Sequence, residues 1–272
     1  MTSSILPLDA SRHRYHGWKH LAHYPFATGD AWVPLVLAEL TSALPIYPLA
    51  FTSRPGGGYQ LVALQGLYEG ENLYLDAASG RWLGGYIPCH YREYPFGLHE
   101  VDTGENRTLM LCVDIDSGLY RESPNPALGE ERFFDDTGKP SALLQNFIAI
   151  LKMTFRHREL TNRAVDALAA AGLLESCELT VENQLPGRSK LQGLFRVREE
   201  ALNTLDGQTL ERLRNVHALT VAYAQMFSVS RLEILRQLSA RCTHATVPTE
   251  APSLSLLETL FGGSQDDTLI FN

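Results

Sequence analysis

Residues 47–67, YPLAFTSRPGGGYQLVALQGL, contain two β-rich runs on either side of a turn-forming loop. The runs cover Tyr47–Thr52 and Tyr59–Leu67, and the loop between them, Arg54–Gly58, carries one proline and three glycines. Apolar runs around a glycine-rich connection are typical of antiparallel strands joined by a tight turn. We therefore predict a β-hairpin here and not a phosphate-binding loop, because no helix N-terminus follows the glycines.

The rest of the first half is predicted to be strand-rich, with one or two helices packed on the strands. Residues 32–45, WVPLVLAELTSALP, place apolar side chains at helical spacing and end at Pro45, which indicates a helix. Residues 118–136 are rich in proline, glycine and charge and are expected to form a surface connection. Further short strands are expected at 72–76, 81–83 and 107–115.

The second half is predicted to be mainly helical and to contain one β-hairpin. Thr161 is positioned to cap a helix, and Ser230-Arg231-Leu232-Glu233 has the pattern of a capping box. Pro186-Gly187 has the composition of a hairpin turn. The expected helices are 140–155, 161–172, 210–227 and 230–238, and the expected strands are 177–182 and 191–198. The predicted fold class is therefore α+β.

Length and charge limit the classes of protein to which the chain can belong. A chain of 272 residues buries roughly three-quarters of its surface on folding, so it needs no disulfides to stabilise a core. Residues 1–136 carry 9 basic and 17 acidic residues, whereas residues 137–272 carry 14 of each. A net charge of −8 argues against binding to nucleic acid or to an anionic membrane.

The same distribution suggests how the chain is organised. We expect an acidic, β-rich half at 1–136 and a helical half with a hairpin at 137–240, both within one compact unit. The regular spacing of apolar residues ends after Cys242, so residues 241–272 are expected to be a largely irregular tail.

The sequence predicts a soluble, cytoplasmic protein. Its first twenty residues, MTSSILPLDASRHRYHGWKH, lack the basic start and apolar stretch of an export signal. The longest apolar stretches, such as Ala31–Leu40 and Ala142–Leu151, reach about half of the ~20 residues that a transmembrane helix needs. The four cysteines are far apart in sequence, which favours free thiols in a reducing compartment.

The most unusual composition occurs at residues 85–96, GYIPCHYREYPF. These twelve residues include four aromatic side chains, two prolines and one arginine. Such a segment either anchors a partner, because rigid rings and arginine lose little entropy on binding, or packs into a core. Arg92 is the residue best suited to a carboxylate or phosphate group. With Arg81 and Trp82 just before it, the segment predicts a recognition surface formed by Arg81, Trp82, Tyr86, Arg92, Tyr94 and Phe96.

Two groups of residues are candidates for metal binding. His16 and His20 belong to the pattern HxxHxxxHxxH, and they share a face if the segment is extended. Asp114 and Asp116 end a predicted strand, where alternate side chains point to the same side and two carboxylates can share a divalent cation. We favour structural roles for both groups, and we expect no metal and no cofactor. A turn with Ser117-Gly118 accounts for the aspartates more simply.

Catalytic motifs are not found in the sequence. Cys89 and His90 are adjacent, and on a strand adjacent side chains point to opposite faces, which places them poorly for proton exchange. The chain contains no GxSxG elbow, no P-loop and no dinucleotide-binding fingerprint. The motifs therefore do not support an enzyme, and we leave that question open.

A series of short motifs follows in order along residues 5–240. The motifs are Val33-Pro34-Leu35 with Glu39, Tyr47-Pro48, Gly70-Glu71-Asn72-Leu73-Tyr74, Gly80-Arg81-Trp82, Tyr86-Ile87-Pro88, Arg92-Glu93-Tyr94-Pro95-Phe96, Leu111-Cys112-Val113-Asp114, Leu191-Gln192-Gly193-Leu194-Phe195-Arg196-Val197 and Tyr223-Ala224-Gln225-Met226. Their succession resembles the bacterial SapC family. Two positions depart from the family pattern, since Arg92-Glu93 stands where two arginines are expected before Tyr94, and Cys89 stands where the residue is usually small. The first departure argues against a basic anion site.

The resemblance implies an accessory role in a bacterial secretion, uptake or modification pathway. Relatives are encoded beside TonB-dependent outer-membrane receptors and proteins similar to flavin-dependent halogenases, so a peptide, protein or cofactor-bearing partner is expected. The resemblance supplies no catalytic residues. The alternative hypothesis is a metal-dependent enzyme that acts on a peptide or amino acid through Asp114, Asp116 and the histidines, and a third is a purely structural subunit.

Overall fold

The computed structural model describes residues 4–102, 107–179 and 187–245. These residues form three antiparallel sheets, whose last strand ends at Val197, and a helical C-terminal part, which confirms the predicted α+β class. The strands are β1 (Ile5–Pro7), β2 (Gly17–Lys19), β3 (Trp32–Pro34), β4 (Leu49–Ser53), β5 (Tyr59–Leu64), β6 (Phe96–Asp102), β7 (Arg107–Asp114), β8 (Tyr120–Arg121), β9 (Glu130–Arg132), β10 (Leu174–Cys177) and β11 (Leu194–Val197). The helices are α1 (Ala10–His13), α2 (Leu40–Ala43), α3 (Cys89–Arg92), α4 (Ala142–Ala170), α5 (Glu199–Asn203), α6 (Gly207–Asn215), α7 (Ala218–Ser228) and α8 (Leu232–Ala245).

The predicted hairpin at 47–67 forms the centre of the largest sheet, whose strand order is β10-β11-β4-β5-β3. Strands β4 and β5 pair antiparallel with Phe51 opposite Leu61, and the loop between them closes through Gly56–Gly58, all with positive φ. Only glycine adopts such angles without strain, so the local sequence determines this turn. The second predicted hairpin also forms, as β10 with β11, but its first strand is earlier than expected. Residues 180–186 of that prediction lie outside the described residues.

Two smaller sheets have the orders β1-β7-β6 and β8-β2-β9. Strand β7 confirms the strand predicted at 107–115, whereas β1, β2, β8 and β9 are too short to be found from periodicity. The strands expected at 72–76 and 81–83 form a single bridge between Leu75 and Trp82 instead of a ladder.

The helix predicted at 32–45 is wrong in its first part. Residues Trp32–Pro34 form the edge strand β3 beside β5, and a 3-10 turn at Leu37–Glu39 leads into the single turn of α2. The apolar side chains that have helical spacing are buried, but they are carried by one strand and two short helical turns instead of one helix. Periodicity alone does not separate these cases in a short apolar segment.

Two helix boundaries also differ from the prediction. The helices predicted at 140–155 and 161–172 are one helix, α4 (Ala142–Ala170), which is capped by Ser141 and has Thr161 in its interior. The Thr161 hydroxyl donates to the carbonyl of His157 at 2.6 Å, as threonine can do within a helix, and does not cap a new one. Conversely, the predicted helix 210–227 is divided into α6 and α7 at His217, whose φ is +61°.

The C-terminal helix is longer than predicted. Helix α8 continues past Leu238 to Ala245, so residues 241–245 of the expected irregular tail are helical. Residues 246–272 of that tail lie outside the described residues. Within the described chain, no helix is both long and apolar enough to cross a membrane.

Residues 1–239 form one compact unit that contains two hydrophobic cores. The larger core covers the five-stranded sheet and includes the C-terminal half of α4 and helix α7, with Val165 and Val221 fully buried. The smaller core is mainly aromatic and includes Trp18, Phe96 and Phe133 together with the N-terminal half of α4. Helix α4 therefore connects the two cores, and the candidate site lies beside its middle.

Candidate functional site

A continuous series of aromatic rings lies at the surface beside α3. Phe26 and Tyr94 have ring centroids 4.4 Å apart, Tyr24 lies 6.1 Å from Phe26 and 5.7 Å from Trp82, and Tyr91 contacts both Phe26 and Trp82 from below. Tyr24 and Tyr91 are buried, whereas the other rings are partly or largely exposed. We call Phe26, Trp82, Tyr86, Arg92 and Tyr94 the aromatic surface.

Two distant segments meet to form this surface. The backbone N–H of Tyr24 donates to the carbonyl of Gly80 at 2.7 Å, which joins the turn at Pro25–Ala27 to the residues before Trp82. Gly80 has a φ of +68°, and a Cβ at this position would lie 3.1 Å from the Pro25 ring. A glycine is therefore required both by the backbone conformation and by the close contact.

Glu39 fixes the other side of the surface. Its carboxylate is buried and accepts hydrogen bonds from the backbone N–H of Val36 at 3.0 Å, from that of Cys89 at 2.6 Å and from the Tyr86 hydroxyl at 2.9 Å. These bonds attach α3 and the Tyr86 ring to the 3-10 turn at Leu37–Glu39. Burial and the neighbouring Glu39 charge raise the pKa of the Tyr86 phenol, so it stays protonated and remains a donor.

Arg92 is exposed and lies over the Tyr86 ring. Its guanidinium carbon is 5.3 Å from the ring centroid, and its nitrogens donate to the Ile87 carbonyl at 2.9 Å and the Tyr86 hydroxyl at 3.0 Å. Stacking of this kind orients a guanidinium, whose N–H groups bind anions in the plane of the group. Arg92 is therefore an exposed cation that is oriented by the Tyr86 ring and the Ile87 carbonyl.

The structure places the other predicted recognition residues differently. Trp82 is half-buried, and its indole N–H donates to the Tyr86 carbonyl at 3.0 Å, while the Tyr94 hydroxyl donates to Asp114 at 3.1 Å. Arg81 is exposed in the turn that precedes Trp82. Phe96 begins β6 and is buried against Trp18 and Phe133, so the expectation that it faces solvent is wrong.

The metal candidates lie apart from this surface. His16 Nδ1 is hydrogen-bonded to the Tyr120 hydroxyl, and His20 is exposed 4.0 Å from Glu131. Asp114 accepts from the backbone N–H of Asp116 at 3.0 Å, which forms the turn expected at the end of that strand. Among the residues that the structure describes, no three His, Cys, Asp or Glu side chains are grouped as a metal site requires.

Cys89 and His90 lie on the helix α3 and not on a strand. The argument that a strand would point their side chains to opposite faces is therefore wrong. The Cys89 sulfur contacts Arg92 Nη2 at 2.8 Å and the Tyr86 hydroxyl at 3.8 Å. Burial and the Glu39 charge raise the pKa of the thiol despite the nearby arginine. The thiol is therefore protonated near neutral pH, whereas a nucleophilic cysteine requires a lowered pKa.

A cavity adjoins the aromatic surface on the side of α4. Its volume is about 370 Å³, and Phe26 and Tyr94 contribute to both features. Asp30 and His90 lie at its edge, Phe155 and Arg158 line it from α4, and Glu93 lines it from the end of α3. We call this feature the Glu93 cavity. Sequence reasoning missed Phe26 and Arg158 as site residues, because they lie in distant segments and match no motif. It also missed Glu93, although this residue lies within the segment 85–96.

Comparison with known proteins places the chain in context. A family model described as SapC matches residues 8–235 of the 272 residues. No curated protein and no solved structure matches the chain.

Proposed function

This chain belongs to the SapC family, and we propose that it is a soluble, cytoplasmic accessory protein that binds a peptide, protein or cofactor-bearing partner. The partner acts in a bacterial secretion, uptake or modification pathway. TonB-dependent receptor systems and halogenase-like flavoproteins are the systems that the family resemblance suggests. The observation that carries the proposal is the aromatic surface, with its exposed arginine.

The composition of the aromatic surface supports binding to another macromolecule. Aromatic residues and arginine dominate the binding energy of protein interfaces, because they bury a large area and lose few rotamers. Phe26 is 42% exposed although it is a large apolar residue next to other rings. A partner that covers Phe26 with apolar atoms and presents an anionic group to Arg92 would satisfy both residues.

The surface is also held in place before any partner arrives. Trp82, Tyr86 and Tyr94 each form a hydrogen bond through their polar atom to another part of the chain. Side chains that are already ordered lose less conformational entropy on association, which increases affinity without adding contacts.

The test is capture of partners from a lysate of the source bacterium by the tagged, full-length chain. Phe26→Ser and Arg92→Gln are each expected to reduce the captured amount of a specific partner by about tenfold, because each removes a central contact. Phe227→Ser is the matched control, since Phe227 is an exposed ring on α7, away from the aromatic surface. The thermal midpoint of each variant is measured in parallel.

The outcome distinguishes recognition from folding. Loss of capture by Phe26→Ser and Arg92→Gln, with retention by Phe227→Ser and unchanged thermal midpoints, supports the proposal. Equal capture by all three variants, or a loss that follows a lowered midpoint, contradicts it.

A further inference from the structure

The Glu93 cavity is lined by aromatic rings and by polar side chains. Phe26, Tyr94 and Phe155 contribute the rings, and the polar side chains are Asp30, His90, Glu93, His99 and Arg158. A volume of about 370 Å³ lies within the range of small-ligand pockets, which are mostly apolar with a few converging polar groups.

The inward side of helix α4 changes from apolar to polar side chains where the helix lines this cavity. Leu151 is buried in the smaller core and Val165 in the larger one, and both lie on the inward side of the helix. Between them, at helical spacing on the same side, the chain has Thr154 and Arg158. Polar groups on a buried helix face reduce stability unless they have partners, so this interruption requires an explanation.

The polar groups at this point are incompletely satisfied. Glu93 is 7% exposed, and its Oε1 has no hydrogen-bond partner among the described residues. The other oxygen, Oε2, lies 3.9 Å from Arg158 Nη2, which is longer than the ~2.7–2.9 Å of a charge-assisted hydrogen bond. The Thr154 hydroxyl is buried and makes no hydrogen bond of standard geometry within the described chain, although it interacts with the Glu93 carboxyl and opposes the rise in its pKa. The Arg158 side chain is 47% exposed.

We propose that the Glu93 cavity binds a carboxylate that carries an apolar or aromatic body, with Arg158 pairing the carboxylate, Glu93 donating a hydrogen bond to it and the rings covering the body. Arg158 is the permanently charged cation among the residues that line the cavity. Asp30 already accepts from the Tyr91 hydroxyl at 3.1 Å, so its carboxylate has a partner within the chain. Phe26 and Tyr94 are shared with the aromatic surface, but Arg158 and Glu93 lie outside it, so the ligand tests below do not depend on capture of a protein partner.

The protonation of Glu93 agrees with this role. Burial raises the pKa of Glu93, although the Thr154 hydroxyl and Arg158 oppose the shift. A carboxyl group that keeps its proton can donate to a bound carboxylate, and the bound negative charge then favours that proton further. The charged and titratable groups around Glu93 are Asp30, Glu39, His90, Arg92, His99 and Arg158. Ligand affinity is therefore expected to decrease as the pH rises.

Two kinds of molecule carry this chemistry. A free aromatic acid and the C-terminal residue of a peptide both present a carboxylate on an apolar body. The probes are therefore 3-phenylpropionate for the free acid and N-acetyl-Gly-Phe with a free carboxyl group for the peptide. Saturable binding of either one supports the proposal, and the tighter one identifies the source. Failure of both at millimolar concentration overturns it.

The test is isothermal titration calorimetry on the full-length chain. At equal concentration, 3-phenylpropanol and 3-phenylpropylamine are expected to bind about tenfold more weakly than 3-phenylpropionate, because they cannot pair with Arg158. This comparison uses the unaltered protein, so it does not depend on the folding of any variant. Equal affinity for the alcohol and the acid overturns the proposal.

Variants identify the residues that bind. Arg158→Gln is expected to reduce affinity for 3-phenylpropionate about tenfold, and Arg156→Gln, an exposed arginine two positions earlier on the same helix, is expected to leave it unchanged. Glu93→Gln retains a hydrogen-bond donor and is expected to keep binding while removing its pH dependence. Equal effects of the two arginine variants, or pH dependence that persists in Glu93→Gln, contradict the assigned roles.

Discussion

Glu130 and Glu93 are equally hidden from solvent, at 6% and 7% exposure, and each faces an arginine, yet their surroundings are opposite. Glu130 bonds to Arg121 Nε at 2.6 Å and to the backbone N–H of Asn125 at 2.9 Å. Glu93 lies 3.9 Å from Arg158 and has one oxygen without a partner among the described residues.

The difference shows in the protonation of the two carboxyl groups. The Asn125 N–H and Arg121 lower the pKa of Glu130, whereas burial raises the pKa of Glu93. The donors to Glu130 stabilise its charged form, whereas at Glu93 the cost of burying the charge outweighs the stabilisation by the Thr154 hydroxyl and Arg158. We conclude that the Arg121–Glu130 pair maintains the structure of the small sheet, while the Glu93 cavity keeps polar groups available for a ligand.

Glu39 is a third buried carboxylate, and its hydrogen-bond donors are backbone N–H groups and a phenol. Its replacement is expected to have the largest effect on stability. Glu39→Ala leaves two backbone N–H groups and the Tyr86 hydroxyl without their acceptor. At about 1–3 kcal/mol for each unsatisfied buried group, the free energy of unfolding is expected to fall by at least about 3 kcal/mol. Urea denaturation measures this change. A loss below about 1 kcal/mol would mean that water replaces the carboxylate.

Removing the Glu130 charge is expected to lower the thermal midpoint at neutral pH. The pKa of Glu130 is lowered in the folded state, so its stabilisation is present above the ordinary glutamate pKa and is lost as pH falls through the folded value. The difference in thermal midpoint between wild type and Glu130→Gln should therefore disappear at acidic pH. Glu131→Gln, an exposed neighbour, serves as the control in the same midpoint series. A gap that is the same at all pH values would argue against an ionic contribution.

Glu93→Gln is expected to have the smallest effect on stability, with the opposite pH dependence. Because the folded pKa of Glu93 is raised, its favourable contribution is present below the ordinary pKa and is lost as pH rises through the folded value. Glutamine keeps the neutral state, so the variant should equal wild type near about pH 4 and match or exceed it near about pH 8. Thermal midpoints across this range test the sign. A variant that becomes less stable than wild type at high pH would contradict a raised pKa.

Local sequence determined the elements that could be predicted. The β4–β5 hairpin was predictable because its glycines define the turn within one short segment. Strand β3 was not, since its conformation depends on pairing with β5. The division at His217 also depends on context, because α7 packs on β4 and β11 while the apolar spacing continues through the break.

The candidate site was predictable only in part. Tyr86, Arg92 and Tyr94 reach the surface as expected from the composition of residues 85–96. Phe96 does not, because β6 begins there and pairs with β7, which turns its ring into the smaller core. A role in the site could not be assigned to Arg158 from sequence, because that role depends on contact with Glu93, which is 65 positions earlier in the chain.

Carbon-13 NMR of the glutamate side-chain carboxyls, recorded across pH with and without 3-phenylpropionate, compares the two glutamates in one sample. Our account predicts that Glu93 titrates above and Glu130 below the ordinary glutamate range, and that the probe shifts the Glu93 titration upward while leaving Glu130 unchanged. A Glu93 that titrates as low as Glu130, or that does not respond to the probe, would contradict it.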